Sequence, residues 1–208
     1  MANDKLRGLY AITDDKLIPE SAFAPTIEQA LRGGAAIIQY RDKSTDQSKR
    51  SRQARALRAL CNDYRATLII NDDIALAKMV AADGVHLGEH DASIEHARSL
   101  LGNTTIIGIS CYDQLHRALN AQAAGADYVA FGAVFSSSTK PAARSASCEL
   151  IAAAKTKLDI PVCAIGGIDR SNAAEVVAAG ADMVALINGL FGADDIQQTA
   201  KHITGLFL

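Results

Sequence analysis

The sequence predicts an α/β protein of a single domain, a TIM (β/α)8 barrel that covers residues 1–208. Three observations lead to this fold class. Eight short apolar runs recur along the chain, amphipathic segments separate them, and no linker rich in Pro, Gly or Ser divides the chain. A chain of 208 residues is near the lower limit for this fold, so insertions between its elements must be few.

The apolar runs are expected to be parallel strands buried on both faces, because they are short, rich in β-branched residues and apolar at odd and even positions alike. In chain order they are LYAIT (9–13), AAIIQY (35–40), TLIIN (67–71), GVHL (84–87), TIIGIS (105–110), YVAFGAV (128–134), PVCAIGG (161–167) and MVALING (183–189).

The segments between the runs are expected to be helices. An apolar stripe from Leu57 to Tyr64 has the spacing of one helix face, and Asp91 or Ser93 is suited to cap the helix after the fourth run. Three helices end in similar glycine motifs, LRGGA once and AAGAD twice. Because glycine in the left-handed position ends a helix, this recurrence indicates a repeated helix-to-strand unit.

The alternative architecture is a doubly wound open sheet. That fold predicts a glycine-rich dinucleotide motif directly after the first strand. The corresponding stretch, YAITDDKLIPES, contains no glycine. The barrel is therefore the better prediction.

Composition and charge exclude several classes of protein. A formal net charge of −2 argues against a nucleic-acid-binding protein. No apolar run approaches membrane-spanning length, and MANDKLRG is not a signal peptide. The four cysteines form no C-x-x-C pair, so neither a disulfide framework nor a zinc framework is expected. Cys111 follows the predicted fifth strand and can border a site, but a packing thiol is the better prediction. We expect a cytoplasmic protein without a membrane or nucleic-acid partner.

Polar residues collect where the predicted strands end, and the carboxyl ends of the strands are where barrel enzymes build their sites. They are Gln39, Arg41 and Lys43 after the second run, Asn71, Asp72 and Asp73 after the third, Glu89, His90 and Asp91 after the fourth, Ser110 at the end of the fifth, Thr139 and Lys140 after the sixth, and Gly167 and Asn188 at the ends of the seventh and eighth.

The cations of this rim indicate a site for a multiply charged anion. If the second strand continues to Lys43, its period of two places Gln39, Arg41 and Lys43 on one face and Asp42 on the other, where it takes a different partner. Lys140 adds a third positive charge to the rim. Arginine binds phosphate oxygens in a bidentate way.

The carboxylates indicate a divalent cation. Asp72 and Asp91 follow neighbouring strands, and a few hard oxygen ligands that leave room for water and phosphate suit Mg²⁺. HLGEH places His86 and His90 four residues apart, but this is not the H-E-x-x-H helix motif, so zinc is not expected.

Glycines indicate a second anion site. AIGGI after the seventh strand and ING before the last helices match the usual phosphate site of a barrel, which the loops after strands seven and eight form. Backbone N–H groups there bind phosphate without side-chain charge. The residues alone therefore predict two anion sites on one rim.

Eight segments of the chain resemble the thiamine-phosphate synthase family, in order and across residues 9 to 191. They are LYAITDD, GGAAIIQYRDKS, LIINDD, GVHLGEHD, IIGIS, GADYVAFGAVFSSSTK, PVCAIGGI and AAGADMVALINGLF. The resemblance implies a TIM-barrel transferase (EC 2.5.1.3) that joins 4-amino-2-methyl-5-hydroxymethylpyrimidine diphosphate to 4-methyl-5-(2-phosphoethyl)thiazole. Its products are thiamine phosphate and pyrophosphate, and its cofactor is Mg²⁺. A homo-oligomer is compatible with this function.

The resemblance also implies the roles of individual residues. Asp72 and Asp91 hold Mg²⁺, and Arg41, Lys43, Ser110 and Lys140 serve the chemical step at the diphosphate and the reacting centre. The remaining contacts are Gln39 and Asn71 to the pyrimidine diphosphate, Ser137 and Thr139 on the thiazole phosphate side, and Gly167, Ile187 and Asn188 to the thiazole phosphate.

The chain departs from the family pattern in a few places. Ser136 and Ser137 stand where Pro and Thr are common, and Asn188 stands where Ser is common. Two alternatives are a thiazole tautomerase-like enzyme and a catalytically silent relative that binds thiazole phosphate. Neither needs the diphosphate-binding residues Arg41, Lys43, Asp72, Asp91 and Lys140, and their presence favours the synthase.

Overall fold

The computed structural model describes residues 5–135 and 146–208, and its strands close into a barrel in chain order. Every neighbouring pair is parallel, including the closing pair of the first and last strands. The strands are β1 (Gly8–Ile12), β2 (Ile37–Tyr40), β3 (Thr67–Asn71), β4 (Gly84–Leu87), β5 (Ile106–Tyr112), β6 (Tyr128–Phe131), β7 (Val162–Ile165) and β8 (Met183–Leu186). The predicted barrel fold is confirmed, and the open sheet is excluded.

Helices follow the strands on the outside of the barrel. Within the described residues they are α1 (Phe23–Arg32), preceded by a 3₁₀ turn (Glu20–Ala22), α2 (Gln47–Tyr64), α3 (Ile74–Met79), α4 (Ile94–Leu101), α5 (Leu115–Ala123), α6 (Cys148–Lys155), α7 (Ala173–Ala178), α8 (Asn188–Phe191) and α9 (Ile196–Gly205). None of the helices described is long and apolar enough to cross a membrane.

The strands are apolar at both parities because they separate two cores. Leu9 and Ile38 point outward into the layer beneath the helices. Tyr10, Ile37 and Tyr128 point inward into a smaller core that fills the barrel. The side-chain period of two thus assigns each strand residue to one of two buried environments.

Several strand ends differ from the predicted runs, and two of these differences, in β2 and β5, affect the rim. β2 ends at Tyr40, so the extended chain does not continue to Lys43. The hydroxyl of Thr13 accepts the N–H of Arg41 at 2.8 Å and donates to its carbonyl at 3.1 Å, which directs the backbone out of the strand. β5 runs past Ser110 to Tyr112, with an irregular register between those residues.

The longer β5 settles the two alternatives for Cys111 in favour of the packing role. This residue lies within the strand, is fully buried and belongs to the outer core between barrel and helices. Its thiol contacts the carbonyl of Ile109 at 3.7 Å. Cys111 is therefore a packing residue and does not border the rim.

The repeated helix-to-strand motif has a structural basis at the amino-terminal end of the barrel. Asp127, the last residue of an AAGAD motif, accepts the N–H of Ile107 at 2.8 Å and pairs with Arg98 at 2.6 Å. Asp182 ends the other AAGAD motif, and it accepts the N–H of Val162 at 2.7 Å and pairs with Lys155. In each case one carboxylate at the start of a strand links that strand to the previous strand and to the helix before it.

Candidate active site

Asp72 and Asp91 follow β3 and β4 and bring two carboxylates together on the rim. Asp72 has a left-handed φ of 62°, and its N–H donates to the carbonyl of His86 at 2.9 Å. Asp91 accepts the N–H of Gly88 at 2.7 Å, and the helix cap is Ser93 instead. Burial raises the pKa of Asp72, Lys43 opposes the rise, and the carboxyl of Asp91 within hydrogen-bonding reach adds to it.

This pair fits a cation that brings most of its own ligands. Within the described residues no three or more His, Cys, Asp or Glu side chains gather around one point. Two hard carboxylate oxygens from the protein, completed by water and phosphate oxygens, are what Mg²⁺ prefers. His86 is unsuited to bind zinc because its two ring nitrogens are hydrogen-bonded to the hydroxyls of Tyr128 and Ser110.

Lys43 lies beside this carboxylate pair. Its Nζ is 2.5 Å from Asp72 Oδ2, and its side chain is 56% exposed. Because the ammonium sits at the edge of the rim on a flexible stem, it can exchange the carboxylate for a phosphate oxygen without breaking any buried contact.

Arg41 is fixed through its backbone, whereas its side chain is only loosely held. The hydroxyl of Thr13, which is 1% exposed, bonds to the N–H and the carbonyl of Arg41. The guanidinium lies 3.9 Å from Asp14, a long contact, and is 32% exposed. Thus Thr13 positions a cation that remains free to bind an anion.

Gln39 points into the barrel and begins a continuous chain of hydrogen bonds. Its Nε2 donates to the Tyr10 hydroxyl at 2.6 Å, and the Tyr10 and Tyr128 hydroxyls are 2.8 Å apart. Tyr128 then contacts His86 Nδ1 at 2.9 Å, and His86 Nε2 contacts the Ser110 hydroxyl at 2.9 Å. Burial lowers the pKa of His86 to about 4, so its imidazole is neutral at physiological pH.

Of the three polar residues that end β3, the structure separates Asp73 from the other two. Asn71 is half-buried at the end of the strand, beside Asp72. Asp73 turns away, since it caps α3 by accepting the N–H of Leu76 at 2.9 Å and pairs with Arg50 at 2.8 Å. Asp73 therefore belongs to the scaffold and not to the rim.

The predicted phosphate site lies where the loops after β7 and β8 meet the loop after β6. Gly166 and Gly167 have left-handed φ values of 100° and 66°. A Cβ at Gly167 would lie 2.6 Å from the carbonyl of Phe135, and one at Gly189 would lie 2.2 Å from that of Ile168. Larger residues do not fit there, and the backbone is left bare.

Ile187 and Asn188 stand directly at the start of α8. The N–H groups in the first turn of any helix have no carbonyl partner within it. The geometry thus gathers bare backbone and first-turn N–H groups near Gly167, as phosphate binding by the backbone requires. Ser137, Thr139 and Lys140 lie outside the described residues.

Three residues at or beneath the rim were not singled out in the sequence. They are Tyr10, Thr13 and Tyr128, each in a run that looks purely apolar. His86 was considered only as a zinc ligand. The sequence signal that could have identified His86 was its position in the strand, because His86 and Ser110 both occupy positions on neighbouring strands whose side chains point into the barrel.

Comparisons with known proteins agree on one family. A family model described as thiamine monophosphate synthase matches residues 9–190. A thiamine-phosphate synthase of Thioalkalivibrio sulfidiphilus is 52% identical over 204 residues, which cover 98% of this chain and 97% of the relative. One from Nitrosococcus oceani is 50% identical over 198 residues, 95% of this chain and 91% of the relative.

A solved structure supports the same assignment. The thiamine phosphate pyrophosphorylase of Pyrococcus furiosus superimposes with a TM-score of 0.89 at 37% identity, over 99% of this chain and 96% of that one. A geranylgeranylglyceryl phosphate synthase from Thermoplasma acidophilum, at 18% identity and a TM-score of 0.71, shares the fold alone.

Proposed function

The chain belongs to the thiamine monophosphate synthase family, and we propose that its rim joins 4-amino-2-methyl-5-hydroxymethylpyrimidine diphosphate to 4-methyl-5-(2-phosphoethyl)thiazole. The products are thiamine phosphate and pyrophosphate. The observation that carries the proposal is the gathering of Asp72, Asp91 and Lys43 at one point, within a chain that the family model matches over residues 9–190. These small-molecule substrates suit a cytoplasmic enzyme.

The bond to be broken joins a primary carbon to the diphosphate oxygen. Its electron pair leaves with the diphosphate, and the remaining pyrimidinylmethyl cation accepts the lone pair of the thiazole nitrogen to form the new C–N bond. Arg41, Lys43 and Lys140 bind the diphosphate and stabilise the charge that grows on it as the bond breaks. Mg²⁺ held by Asp72 and Asp91 supplies further charge neutralisation when it is bound.

The other proposed contacts orient the two substrates. Gln39, Asn71 and Ser110 bind the pyrimidine and keep the reacting carbon in place. The thiazole phosphate is held on the opposite side of the rim by the hydroxyls of Ser137 and Thr139 and by backbone groups of Gly167, Ile187 and Asn188. Fixing both reactants in this way removes most of the entropic cost of their encounter.

No general base is needed, because the attacking ring nitrogen carries no proton. This agrees with the state of His86, which is neutral and has both ring nitrogens engaged by hydroxyls. The reaction therefore requires residues that bind the diphosphate and the phosphate and that orient the pyrimidine and thiazole rings.

The decisive experiment is to incubate the purified protein with both substrates and Mg²⁺ and to measure thiamine phosphate by fluorescence after oxidation to thiochrome. We expect product with Mg²⁺ and none after EDTA treatment, with recovery when Mg²⁺ is restored. A preparation that binds thiazole phosphate but forms no product with Mg²⁺ would support the silent-relative alternative instead.

Asp72 and Asp73 provide a matched pair of variants for the same assay. We expect Asp72→Asn to lower kcat/KM by about 10²- to 10³-fold with little loss of stability, because it removes a metal ligand and relieves repulsion from Asp91. Asp73→Ala removes the α3 cap and the Arg50 pair, so it should cost about 1–2 kcal/mol of stability and leave the activity of folded protein nearly unchanged. The reverse pattern would refute the metal assignment.

A further inference from the structure

A hydrogen-bond chain crosses the interior of the barrel directly beneath the rim. We call it the interior chain; in order its members are Gln39 on β2, Tyr10 on β1, Tyr128 on β6, His86 on β4 and Ser110 on β5. The two tyrosines are at most 1% exposed, Gln39 is 2% and His86 is 9% exposed. Both ends, Gln39 and Ser110, are residues that the proposed function assigns to the pyrimidine.

Close packing holds the interior chain in its geometry. The rings of Tyr128 and His86 stack with centroids 5.6 Å apart, and Tyr10 meets Tyr128 edge to face at 6.1 Å. Gly108 on β5 makes room for this arrangement, since a Cβ there would lie 2.0 Å from Cζ of Tyr128. The hydroxyls therefore have little freedom to find other partners.

The donors and acceptors along the interior chain point in one direction. The Nε2 of Gln39 only donates, so the Tyr10 hydroxyl accepts there. Within the described residues the Tyr128 oxygen is the acceptor in reach of the Tyr10 proton, and we therefore assign this bond from Tyr10 to Tyr128. With its oxygen accepting from Tyr10, Tyr128 is left to donate its own proton to Nδ1 of His86, 2.9 Å away. A neutral imidazole that accepts at Nδ1 carries its proton on Nε2 and donates it to Ser110.

This direction fixes what each end offers to a ligand. The Ser110 oxygen already accepts from His86, so its own hydroxyl proton is left to donate toward the rim. At the other end, the amide of Gln39 is locked with Nε2 toward Tyr10, so its Oε1 remains as an acceptor. The edge of a 4-aminopyrimidine, with an amino donor next to a ring-nitrogen acceptor, complements such a pair. A 4-oxopyrimidine presents the opposite pattern.

We propose that Tyr10, Tyr128 and His86 are positioning residues that set the hydrogen-bond polarity of Gln39 and Ser110, and through it the preference for an amino over an oxo pyrimidine. The proposal rests on the proposed function, because it takes the pyrimidine as the ligand at both ends. These three residues act through Gln39 and Ser110 and need not touch the substrate.

The test compares two buried tyrosines, one that belongs to the interior chain and one that does not. Tyr128→Phe removes the central hydroxyl of the interior chain and keeps the ring. Tyr40→Phe is the matched control, because Tyr40 is 2% exposed and its hydroxyl contacts Gln53 at 3.0 Å and Asp42 at 3.4 Å on the outer-core side of β2, outside the interior chain. Asp42 keeps Lys49 and Ser44 as partners in this variant. Each variant removes one buried hydroxyl that has two hydrogen-bond contacts, so the two should lose similar amounts of thermal stability.

We expect their kinetics to differ. Tyr128→Phe should lower kcat/KM for the pyrimidine diphosphate about tenfold, with the KM for thiazole phosphate and the affinity for Mg²⁺–pyrophosphate unchanged. It should also reduce the ratio of kcat/KM for the amino substrate over its 4-oxo analogue, while Tyr40→Phe leaves every constant at the wild-type value. Tyr10→Phe combined with Tyr128→Phe should cost no more than either alone, because the links act in series.

Unchanged kinetic constants and unchanged selectivity in an active Tyr128→Phe enzyme would overturn the proposal and leave the tyrosines as packing residues. A readout independent of activity is the tautomer of His86, measured by long-range ¹H–¹⁵N correlation NMR and assigned with a His86→Gln variant. We expect the Nε2–H form in the wild type. The Nδ1–H form would overturn the proposal even in an active enzyme, whereas absence of product from the wild type would refute the proposed function and leave this measurement valid.

Discussion

Asp42 lies between two proposed diphosphate-binding cations, Arg41 and Lys43, yet its carboxylate faces the protein. Its side chain is 2% exposed and lies 2.8 Å from Lys49 Nζ. The same carboxylate accepts the N–H of Ser44 at 2.7 Å. These contacts fasten the loop after β2 to the start of α2, so Asp42 is the residue that keeps the backbone of its cationic neighbours in place.

We expect Asp42→Asn to lower the free energy of unfolding by about 2 kcal/mol at neutral pH, because it leaves a partly buried ammonium without its partner. Burial by itself raises the pKa of Asp42, but Lys49 and the hydroxyl and N–H of Ser44 outweigh it and hold that pKa below its ordinary value. The stabilisation is therefore complete above the unfolded-state pKa of about 3.9 and disappears as the pH falls through the lower folded-state value. Urea unfolding at a series of pH values should show wild type and variant converging below about pH 4.

The control for this prediction is Asp46→Asn. Asp46 caps α2 by accepting the N–H of Lys49 at 2.9 Å, and asparagine caps a helix about as well as aspartate. This variant should stay within about 0.5 kcal/mol of the wild type. A deficit of Asp42→Asn that persists undiminished to about pH 3 would show that the charge of Asp42 is not what stabilises the loop.

At the scale of elements, alternate strands carry one repeated device. Asp83, Asp127 and Asp182 directly precede β4, β6 and β8. Each accepts a backbone N–H near the start of the previous strand and pairs with a cation on the helix before that strand. Ala36 holds the corresponding position before β2. Its backbone N–H donates to the carbonyl of Leu9 on β1, just as the N–H of each of these aspartates donates to a carbonyl of the previous strand. The device is thus present at three of four equivalent places.

We expect Asp127→Ala to lower the free energy of unfolding by about 3 kcal/mol, because the N–H of Ile107 and the guanidinium of Arg98 lose their common acceptor. The activity of the folded variant should match the wild type, since the residue lies at the barrel end opposite the rim. The measurement is urea unfolding together with kcat/KM at a temperature where both proteins are folded.

Asp159→Ala is the matched control at the same end of the barrel. Asp159 is exposed, and among residues 5–135 and 146–208 the contact of its carboxylate is a long one, 3.5 Å to the amide of Gln122. Its loss should change stability by no more than about 0.5 kcal/mol. Equal losses in the two variants would mean that the strand-to-helix link at Asp127 adds nothing beyond a surface charge.

The strands of this protein could be predicted because parallel strands of a barrel are buried on both faces. Such strands are apolar at odd and even positions alike, and that pattern is visible in the sequence. Their carboxyl ends were less predictable. Where β2 stops depends on the hydroxyl of Thr13, a residue of another strand. Local sequence patterns do not contain such a contact.

The site divides in the same way. The charged residues of the rim were predicted from their positions at strand ends and from the family resemblance, because a charged side chain is unfavourable in a core. They are Asp72, Asp91, Arg41 and Lys43. The interior chain was not, because tyrosines in apolar runs are typical of packing. Only closure of the barrel brings the hydroxyls of Tyr10 and Tyr128, 118 residues apart in the chain, to 2.8 Å.

At the scale of the whole molecule, the barrel has one seam where the beginning of the chain meets its end. β1 pairs with β8 as well as with β2, and α9 packs against α1. The hydroxyl of Thr204 donates to the carbonyl of Gly34 at 3.1 Å, and Arg7 donates to the carbonyl of Phe207 at 2.8 Å. Contacts between the two ends of a chain span the longest separation in sequence and so carry a large entropic cost of loop closure.

Gly33 is the closest approach across this seam. It ends α1 with an ordinary helical φ of −77°, so its backbone conformation does not require glycine. A Cβ there would nevertheless lie 2.4 Å from Cβ of Ala200 and 2.5 Å from the carbonyl of Gln197. The need for glycine at this position comes from α9, which lies far away in the sequence.

We expect Gly33→Ala to lower the free energy of unfolding by about 1–3 kcal/mol, because α9 must shift away from α1 to admit the methyl group. Gly205→Ala, in the last turn of α9, has open space around it and should raise stability by about 0.5–1 kcal/mol through helix propensity. Urea unfolding of both variants checks the pair. If Gly33→Ala instead gained stability as Gly205→Ala does, propensity at the helix end would outweigh packing, and the seam would be loose enough to absorb a methyl group.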